Sequence, residues 1–336
     1  MMHGETTLRL LLEPIASWLR DPETTEVVVN APGGIGVEQK GQWSWHDIPE
    51  FTFERLDAIA IVAAWLNNRD ADADHPLATG TLPDGQRFQL CLPPATDPAT
   101  IAITVRKPSV RARRLDDPDF ATLFSEANAG PSRRTRADAE LVRLYQAKEW
   151  QAFFALAVKQ RKTIGVTGST GSGKTDLLKR LIQEVPSHLR VVSIGDVDEF
   201  GPLGPRNKIT LQYGDDRAKL TAEDCIRAAL RSRPDEIWLQ ELRGREAYAW
   251  FWALAAGHPG GCTTWHADEG NEFDALEIMV RQHPAGLAIP NDRLRHYLQT
   301  YLDVVVWCAR GDDGFRAPRV WFKAAVPAPP PDPSGQ

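Results

Sequence analysis

The feature that most constrains this chain is the run Gly168-Ser169-Thr170-Gly171-Ser172-Gly173-Lys174-Thr175. It matches GxxxxGK[ST] in full. An apolar stretch, Arg161–Val166, precedes it and predicts a short buried strand. Asp176–Glu184 follows and predicts a helix. Strand, glycine-rich loop and helix are the arrangement phosphate binding needs. Glycines let successive N–H groups point at one centre, and the helix N-terminus adds a favourable dipole. Lys174 can then reach the β and γ phosphates of a nucleotide, and Thr175 can ligate Mg²⁺. Gly168–Thr175 and the adjoining Asp176 are therefore the expected nucleotide contacts.

Composition narrows the surroundings. The 336 residues favour two domains, with 42% hydrophobic and 25% charged residues, as in an ordinary globular protein. A net charge of -6 argues against a general nucleic-acid coat and against broad attraction to anionic lipid. Cys91, Cys225, Cys262 and Cys308 are widely spaced, which disfavours a disulfide framework or a zinc site and points to a reducing compartment. The start lacks a signal-peptide pattern, and no run of about 18 apolar residues predicts a spanning helix.

The first third reads as a small α+β unit. A helix is expected over 7–20, strands at Glu26–Asn30, Gly36–Glu38 and Trp43–Trp45, and a helix over Thr52–Asn68. A turn at Leu82–Gly85 leads to strands Arg87–Leu92 and Thr100–Arg106. Residues 1–106 thus form an N-terminal domain. The Arg-, Pro- and Asp-rich run 107–136 reads as a linker. Residues 137–326 alternate short apolar strands with helices, which predicts a largely parallel sheet with helices on its faces. The Pro-rich tail 327–336 reads as disordered.

Hydrolysis needs an acid near the metal and a group to orient water. Asp196-Val197-Asp198-Glu199 follows the strand Arg190–Ile194, and Glu241 follows the strand Glu236–Leu239. Both lie at carboxyl ends of strands, where open α/β sheets bind ligands. Gly257-His258-Pro259-Gly260-Gly261 and Thr264-Trp265-His266-Ala267 flank another strand, and His266 can read the γ-phosphate directly or through water. A solvated loop charge is the alternative reading for each acid.

Taken together, these residues resemble the secretion ATPase superfamily, and within it the VirB-type hexameric traffic ATPases of type IV secretion and conjugation. The resemblance covers nearly the whole chain. It includes Glu26–Asn30, Leu92–Thr96, Ile103–Ser109, Arg231–Asp235, Glu241–Gly244 and Gly257–Gly261. It implies a RecA-like P-loop NTPase domain preceded by the α+β domain and linker, so an α/β fold. It implies an Asp box at Asp196–Glu199, a Walker B segment at Ile237–Glu241 and a His box at His258–His266. Glu199 would position or activate water, and Glu241 and Thr175 would stand on the Mg²⁺ side. Arg87, Arg106 and Arg233 match family arginines that approach the phosphates, a task suited to a persistent forked charge. Strand-surface or helix-end charges are the alternative.

The resemblance further implies ATP and Mg²⁺ as cofactors and a homohexamer. Partners would be other ATPases and inner-membrane subunits of a secretion machine. The location would be cytoplasmic, peripheral to the inner membrane, with no direct sequence-specific nucleic acid. Three positions depart from the family pattern. Gly195 stands where Glu is usual, Gln240 where Gly is usual, and Trp265 where Ile is usual. Gly195 removes one carboxylate, while Gln240 and Trp265 are expected to add bulk near the site. A nucleotide-gated scaffold with little hydrolysis, and a related pilus or type II secretion motor, stay open as alternatives.

Overall fold

A computed structural model describes residues 3–108, 136–214, 219–312 and 314–325. Most of the expected linker 107–136 and the expected tail 327–336 lie outside the described residues. The chain divides into two compact units. One holds the N-terminal residues together with Ile209–Arg233, and the other holds Arg136–Lys208 and the residues from Pro234 onward.

In the first unit, α1 (His3–Leu11) and α2 (Ala16–Arg20) are separate helices. The single helix expected over 7–20 is broken by Pro14, which opens a 3₁₀ turn over Glu13–Ile15. Proline lacks the N–H an α-helix needs there and its ring collides with the preceding turn. Then come β1 (Thr24–Val29), β2 (Gly34–Gln39), β3 (Gln42–Asp47), α3 (Phe53–Trp65), β4 (Leu77–Thr81), β5 (Arg87–Cys91) and β6 (Ala102–Arg106). Thr52 caps α3 by accepting the Arg55 N–H at 3.3 Å. The six strands lie in the order β3-β2-β1-β6-β5-β4. Alternating apolar positions such as Val27, Val29, Ile35, Val37, Ile103 and Val105 build this unit's core with Leu56, Ile59 and Ala63 of α3.

The second unit begins with α4 (Arg136–Ala147) and α5 (Trp150–Lys159). Between them the chain turns through Lys148 at φ 57, a left-handed conformation that ends α4. The remaining elements are β7 (Ile164–Gly168), α6 (Lys174–Leu181), β8 (Val191–Gly195), β9 (Lys208–Gln212), α7 (Ala222–Arg231), β10 (Glu236–Leu242), α8 (Glu246–Ala255), β11 (Cys262–Trp265), α9 (Glu272–Arg281), α10 (Pro284–Leu287), α11 (Asn291–Tyr301), β12 (Val304–Gly311) and β13 (Gly314–Phe322). Of these, α7 and all of β9 but Lys208 fall in the first unit, and Thr221 and Asp224 cap α7 reciprocally.

The second sheet runs β13-β12-β7-β11-β10-β8-β9. From β12 to β8 every neighbouring pair is parallel. The α/β reading of this region, behind a small α+β unit, is what the structure has. β7 is an interior strand and fully buried, consistent with a strand covered on both faces. The antiparallel β13, which pairs with β12 to close the sheet, was not anticipated.

Candidate nucleotide-binding site

The buried strand β7 delivers the chain into the glycine-rich loop at Gly168. Its φ is 142°, and a Cβ there would lie 2.1 Å from the Cys308 carbonyl oxygen of β12. Only glycine lets the loop leave the sheet beside that strand. At the far end Gly173 precedes α6 with φ 88 and provides no side-chain cap. The first-turn N–H groups of α6 thus have no side-chain acceptor at the cap position, which suits an anion. Gly171–Asp176, with Lys179 and Phe315, line an open cleft of about 320 Å³. Thr175 lies in this cleft; the Asp176 carboxylate pairs with Arg180 at 2.9 Å.

Lys174 is buried, and its Nζ donates to the carbonyls of Gly168 and Ser169, both at 2.9 Å. Burial lowers its pKa from the ordinary lysine value, while the Glu241 carboxylate and the Cys308 thiol oppose that shift. Its Nζ also lies 3.4 Å from His266 Nδ1. His266 Nε2 in turn is 2.8 Å from Glu241 Oε1. Lys174, His266 and Glu241 are thereby assembled from the loop, the residue after β11 and the end of β10. Glu241 does not follow its strand as expected: β10 continues to Leu242, so the carboxylate projects from the last turn of the pleat.

Arg243 completes the cluster and was not singled out from the sequence. Its Nε donates to Glu241 Oε2 and its Nη1 to Asp196 Oδ2, each at 2.6 Å. Burial works against its charge, but the hydrogen bonds to Asp196 and Glu241 outweigh it and hold the guanidinium ionised. Arg243 thus ties the loop after β8 to the end of β10. A cation two residues beyond a strand-end acid was the only signal of this in the sequence.

Gly195 and Gln240 prove to be a packing pair. Ile194 of β8 and Leu239 of β10 are register partners, which sets the next residues side by side. A Cβ on Gly195 would come 2.7 Å from Cδ of the Gln240 amide. That amide donates to Ser193 Oγ at 3.1 Å and accepts the Glu199 N–H at 3.2 Å. The Gln240 carbonyl accepts from Thr264 Oγ1 at 2.8 Å, two residues before His266. Gln240 therefore fills the space above Gly195 and links β8, the Glu199 loop and β11. Glu199 itself is exposed and is held at its backbone. Trp265 does not add bulk to the site. Its buried indole covers Gly165 of β7 and donates to the Glu272 carbonyl at 2.9 Å, so it belongs to the core.

Arg87, Arg106 and Arg233 belong to the first unit and gather there around one row of the antiparallel sheet. Register places Arg87, Arg106, Glu26, Glu38 and Trp43 directly opposite one another on β5, β6, β1, β2 and β3. Arg106 Nε lies 3.5 Å from Glu26 Oε1. Arg233 binds Glu38 and stacks over Trp43 at 5.5 Å. Arg106, Arg233, Glu26 and Glu38 share a cleft of about 540 Å³.

For Mg²⁺ the residues fit a shared rather than a self-contained site. Among the described residues, no group of three or more His, Cys, Asp or Glu is placed to hold a metal. A magnesium ion that arrives on nucleotide phosphates needs only one or two protein oxygens, which Thr175 and Glu241 can supply. No helix among the described residues is long and apolar enough to cross a membrane.

The profile of the Type II/IV secretion system protein family matches residues 133–287. The Type IV secretion system protein VirB11 of Brucella suis is 36% identical over 321 residues, covering 93% of this chain and 89% of that protein. The Type IV secretion system protein PtlH of Bordetella pertussis is 35% identical, covering 95% of this chain and 96% of its own. A crystal structure of the VirB11 ATPase from the Brucella suis type IV secretion system, in complex with sulphate, superposes with a TM-score of 0.89 at 34% identity, covering 96% of each chain. With its loop, strand-end acids and N-terminal sheet all inside that alignment, the chain belongs to the VirB11 family of type IV secretion system proteins.

Proposed function

We propose that the chain is a Mg²⁺-dependent ATPase that powers a type IV secretion machine. The observation that carries this is the convergence of Lys174, His266 and Glu241 beside the loop Gly168–Thr175, with His266 in contact with both of the others. Lys174 and the loop amides hold the β and γ phosphates. Mg²⁺, held by Thr175 and Glu241, would neutralise charge developing on the phosphates. Glu199 accepts a proton from water as its oxygen bonds to the γ-phosphorus and the bond to the ADP oxygen breaks. His266 reads the γ-phosphate and, through Glu241, couples it to Arg243 and the Asp box. Arg87, Arg106 and Arg233 are assigned to the phosphates by the family resemblance, and Asp176 to the nucleotide by its place directly after the loop.

The working unit is a homohexamer, cytoplasmic and peripheral to the inner membrane, that meets the other ATPases and inner-membrane subunits of the machine. ATP binding closes the N-terminal domain and hydrolysis releases it. The test is steady-state ATP hydrolysis with Mg²⁺ by the purified chain, with Glu199→Gln and Lys174→Ala as controls and mass measured on the same samples. Turnover by a hexamer that both substitutions abolish is the expected result.

A second reading is a nucleotide-gated scaffold that hardly hydrolyses. It is favoured by Glu241, both of whose oxygens are engaged by His266 and Arg243. Under that reading ATP binds tightly but turns over no faster than in Lys174→Ala.

A further inference from the structure

Phe315 stands at the mouth of the loop and has no part in the chemistry above. It is the second residue of β13 and is 60% exposed. Its ring lies against the end of the loop: a Cβ on Gly173 would come 2.8 Å from the ring's Cγ. Glycine at 173 therefore serves two ends, the left-handed turn into α6 and the close approach of this ring. Phe315 lines the same 320 Å³ cleft as Thr175, Asp176 and Lys179.

The sheet order says which end of a nucleotide faces this ring. β7 and its loop stand between two flanks, β11–β10 on one side and β12–β13 on the other. The acids and the histidine that act on a terminal phosphate, Glu241, Asp196 and His266, all come from the β11–β10–β8 side. Lys174 leans that way, with its Nζ 3.4 Å from His266. A nucleotide is a linear molecule with its phosphates at one end and its base at the other. With the γ-phosphate drawn toward β11 and β10, the nucleoside leaves the loop on the opposite flank, where the β12–β13 hairpin presents an uncovered aromatic face.

We propose that Phe315 is the stacking platform for the nucleobase. This rests on the loop holding nucleotide phosphates. Stacking on one aromatic face is tolerant of base identity, because every base has a π-face. Phe315 then supplies affinity for nucleosides over bare phosphates and discriminates little between adenine and guanine.

The test is calorimetric titration of the full chain with a non-hydrolysable ATP analogue, the GTP analogue and inorganic tripolyphosphate, each with Mg²⁺. Phe315→Ala should weaken both nucleotides roughly five- to a hundredfold. Tripolyphosphate affinity should stay within about twofold, since it has no base to stack. Phe315→Tyr should bind like the parent, and Phe315→Leu should fall with Phe315→Ala. If Phe315→Ala weakens nucleotides and tripolyphosphate equally, the ring only braces the loop and the proposal is wrong. It is equally wrong if neither changes, or if Phe315→Leu binds as the parent does, because apolar bulk then suffices. Tripolyphosphate binding that is absent, or that survives Lys174→Ala, overturns the phosphate reading of the loop itself and the platform with it.

Discussion

The two sheets handle charge in opposite ways. In the antiparallel sheet, charges meet across strands: Arg87, Arg106, Glu26 and Glu38 stand in one register row, each from a different strand. Like charges directly opposite cost stability, so Arg87 beside Arg106 and Glu26 beside Glu38 persist through the cross-pairs Arg106–Glu26 and Arg233–Glu38. In the parallel sheet, charges meet at one end: the carboxyl ends of β8, β10 and β11 bring Asp196, Glu241 and His266 together through their loops. A register row spends its charges on each other in the folded state. A strand-end cluster gathers them beside a loop that can admit a ligand.

The widest break in the comparison should come from Lys174→Ala. If the strand-end cluster exists for phosphate chemistry, ATP turnover should fall about a hundredfold or more, as for loss of one oriented transition-state donor. Urea unfolding of the second unit should change far less than turnover does. A variant that unfolds readily but keeps its residual turnover would make Lys174 a structural pin instead.

Glu236 sharpens the contrast from within one strand. It begins β10, at the end opposite Glu241, and is buried with Trp238 Nε1 donating at 2.8 Å and Arg161 Nε 3.9 Å away. Burial pushes its carboxyl up to about 7, with the Trp238 hydrogen bond and Arg161 opposing. The folded chain therefore holds a proton that the unfolded chain loses near the ordinary value of 4.5. Stability from this group is complete below that value and is lost as pH rises through about 7, by about 3 kcal/mol in all. Glu236→Gln should remove this loss, so the parent should weaken relative to the variant between about pH 5 and about pH 8 in urea titrations. Parallel pH profiles would mean that Glu236 is ionised in the fold.

Much of the candidate site was legible because it is local. The phosphate loop, the strand before it and the acids after β8 and within β10 are contiguous motifs, and a strand-end position follows from them. What the sequence concealed depends on partners far along the chain. The row from Arg87 to Trp43 exists only once five strands take their register. Arg243 reads as a solvated charge until Asp196 comes to it from 47 residues away. Gly195 and Gln240 each look like a departure alone, and become one solution only when β8 pairs with β10. The β12–β13 hairpin is the hardest case, since β13 is mostly exposed and shows little apolar alternation. The break at Pro14 was missed by the helix expected over 7–20, although a proline's effect needs no distant partner.

That pair gives the next prediction in size. Gly195→Glu forces a Cβ to within 2.7 Å of the Gln240 amide and 2.8 Å of the Val197 carbonyl. It should destabilise the second unit by about 1–3 kcal/mol, as overpacking does. Adding Gln240→Gly should recover about 1 kcal/mol of this, a non-additive cycle measurable by urea unfolding. The Val197 carbonyl keeps the recovery partial. Additive effects would show that the two positions are independent. Gln240→Ala alone should lower kcat more than it raises KM, because it releases the Glu199 N–H and leaves the phosphate loop intact.

The smallest effects divide the register row itself. Arg233 is the partner of Glu38, whose side chain is only 7% exposed, so Arg233→Ala strands a buried carboxylate that keeps the Thr25 hydroxyl at 3.1 Å. A loss of roughly 2 kcal/mol is expected, below the full cost of breaking a buried pair because the arginine is 27% exposed. Arg87 is exposed at the row's outer end beside another arginine, so Arg87→Ala should change stability by less than about 0.5 kcal/mol. Amide exchange across β1, β2 and β6 reads both substitutions in the first unit alone. Turnover then separates the two uses of charge. A register row that serves only the fold predicts that Arg87→Ala leaves ATP hydrolysis untouched. A row whose outer arginine is kept for phosphate predicts a clear fall in turnover at unchanged exchange. Arg87 is the position where that distinction is cleanest, because it has the least structural work to lose.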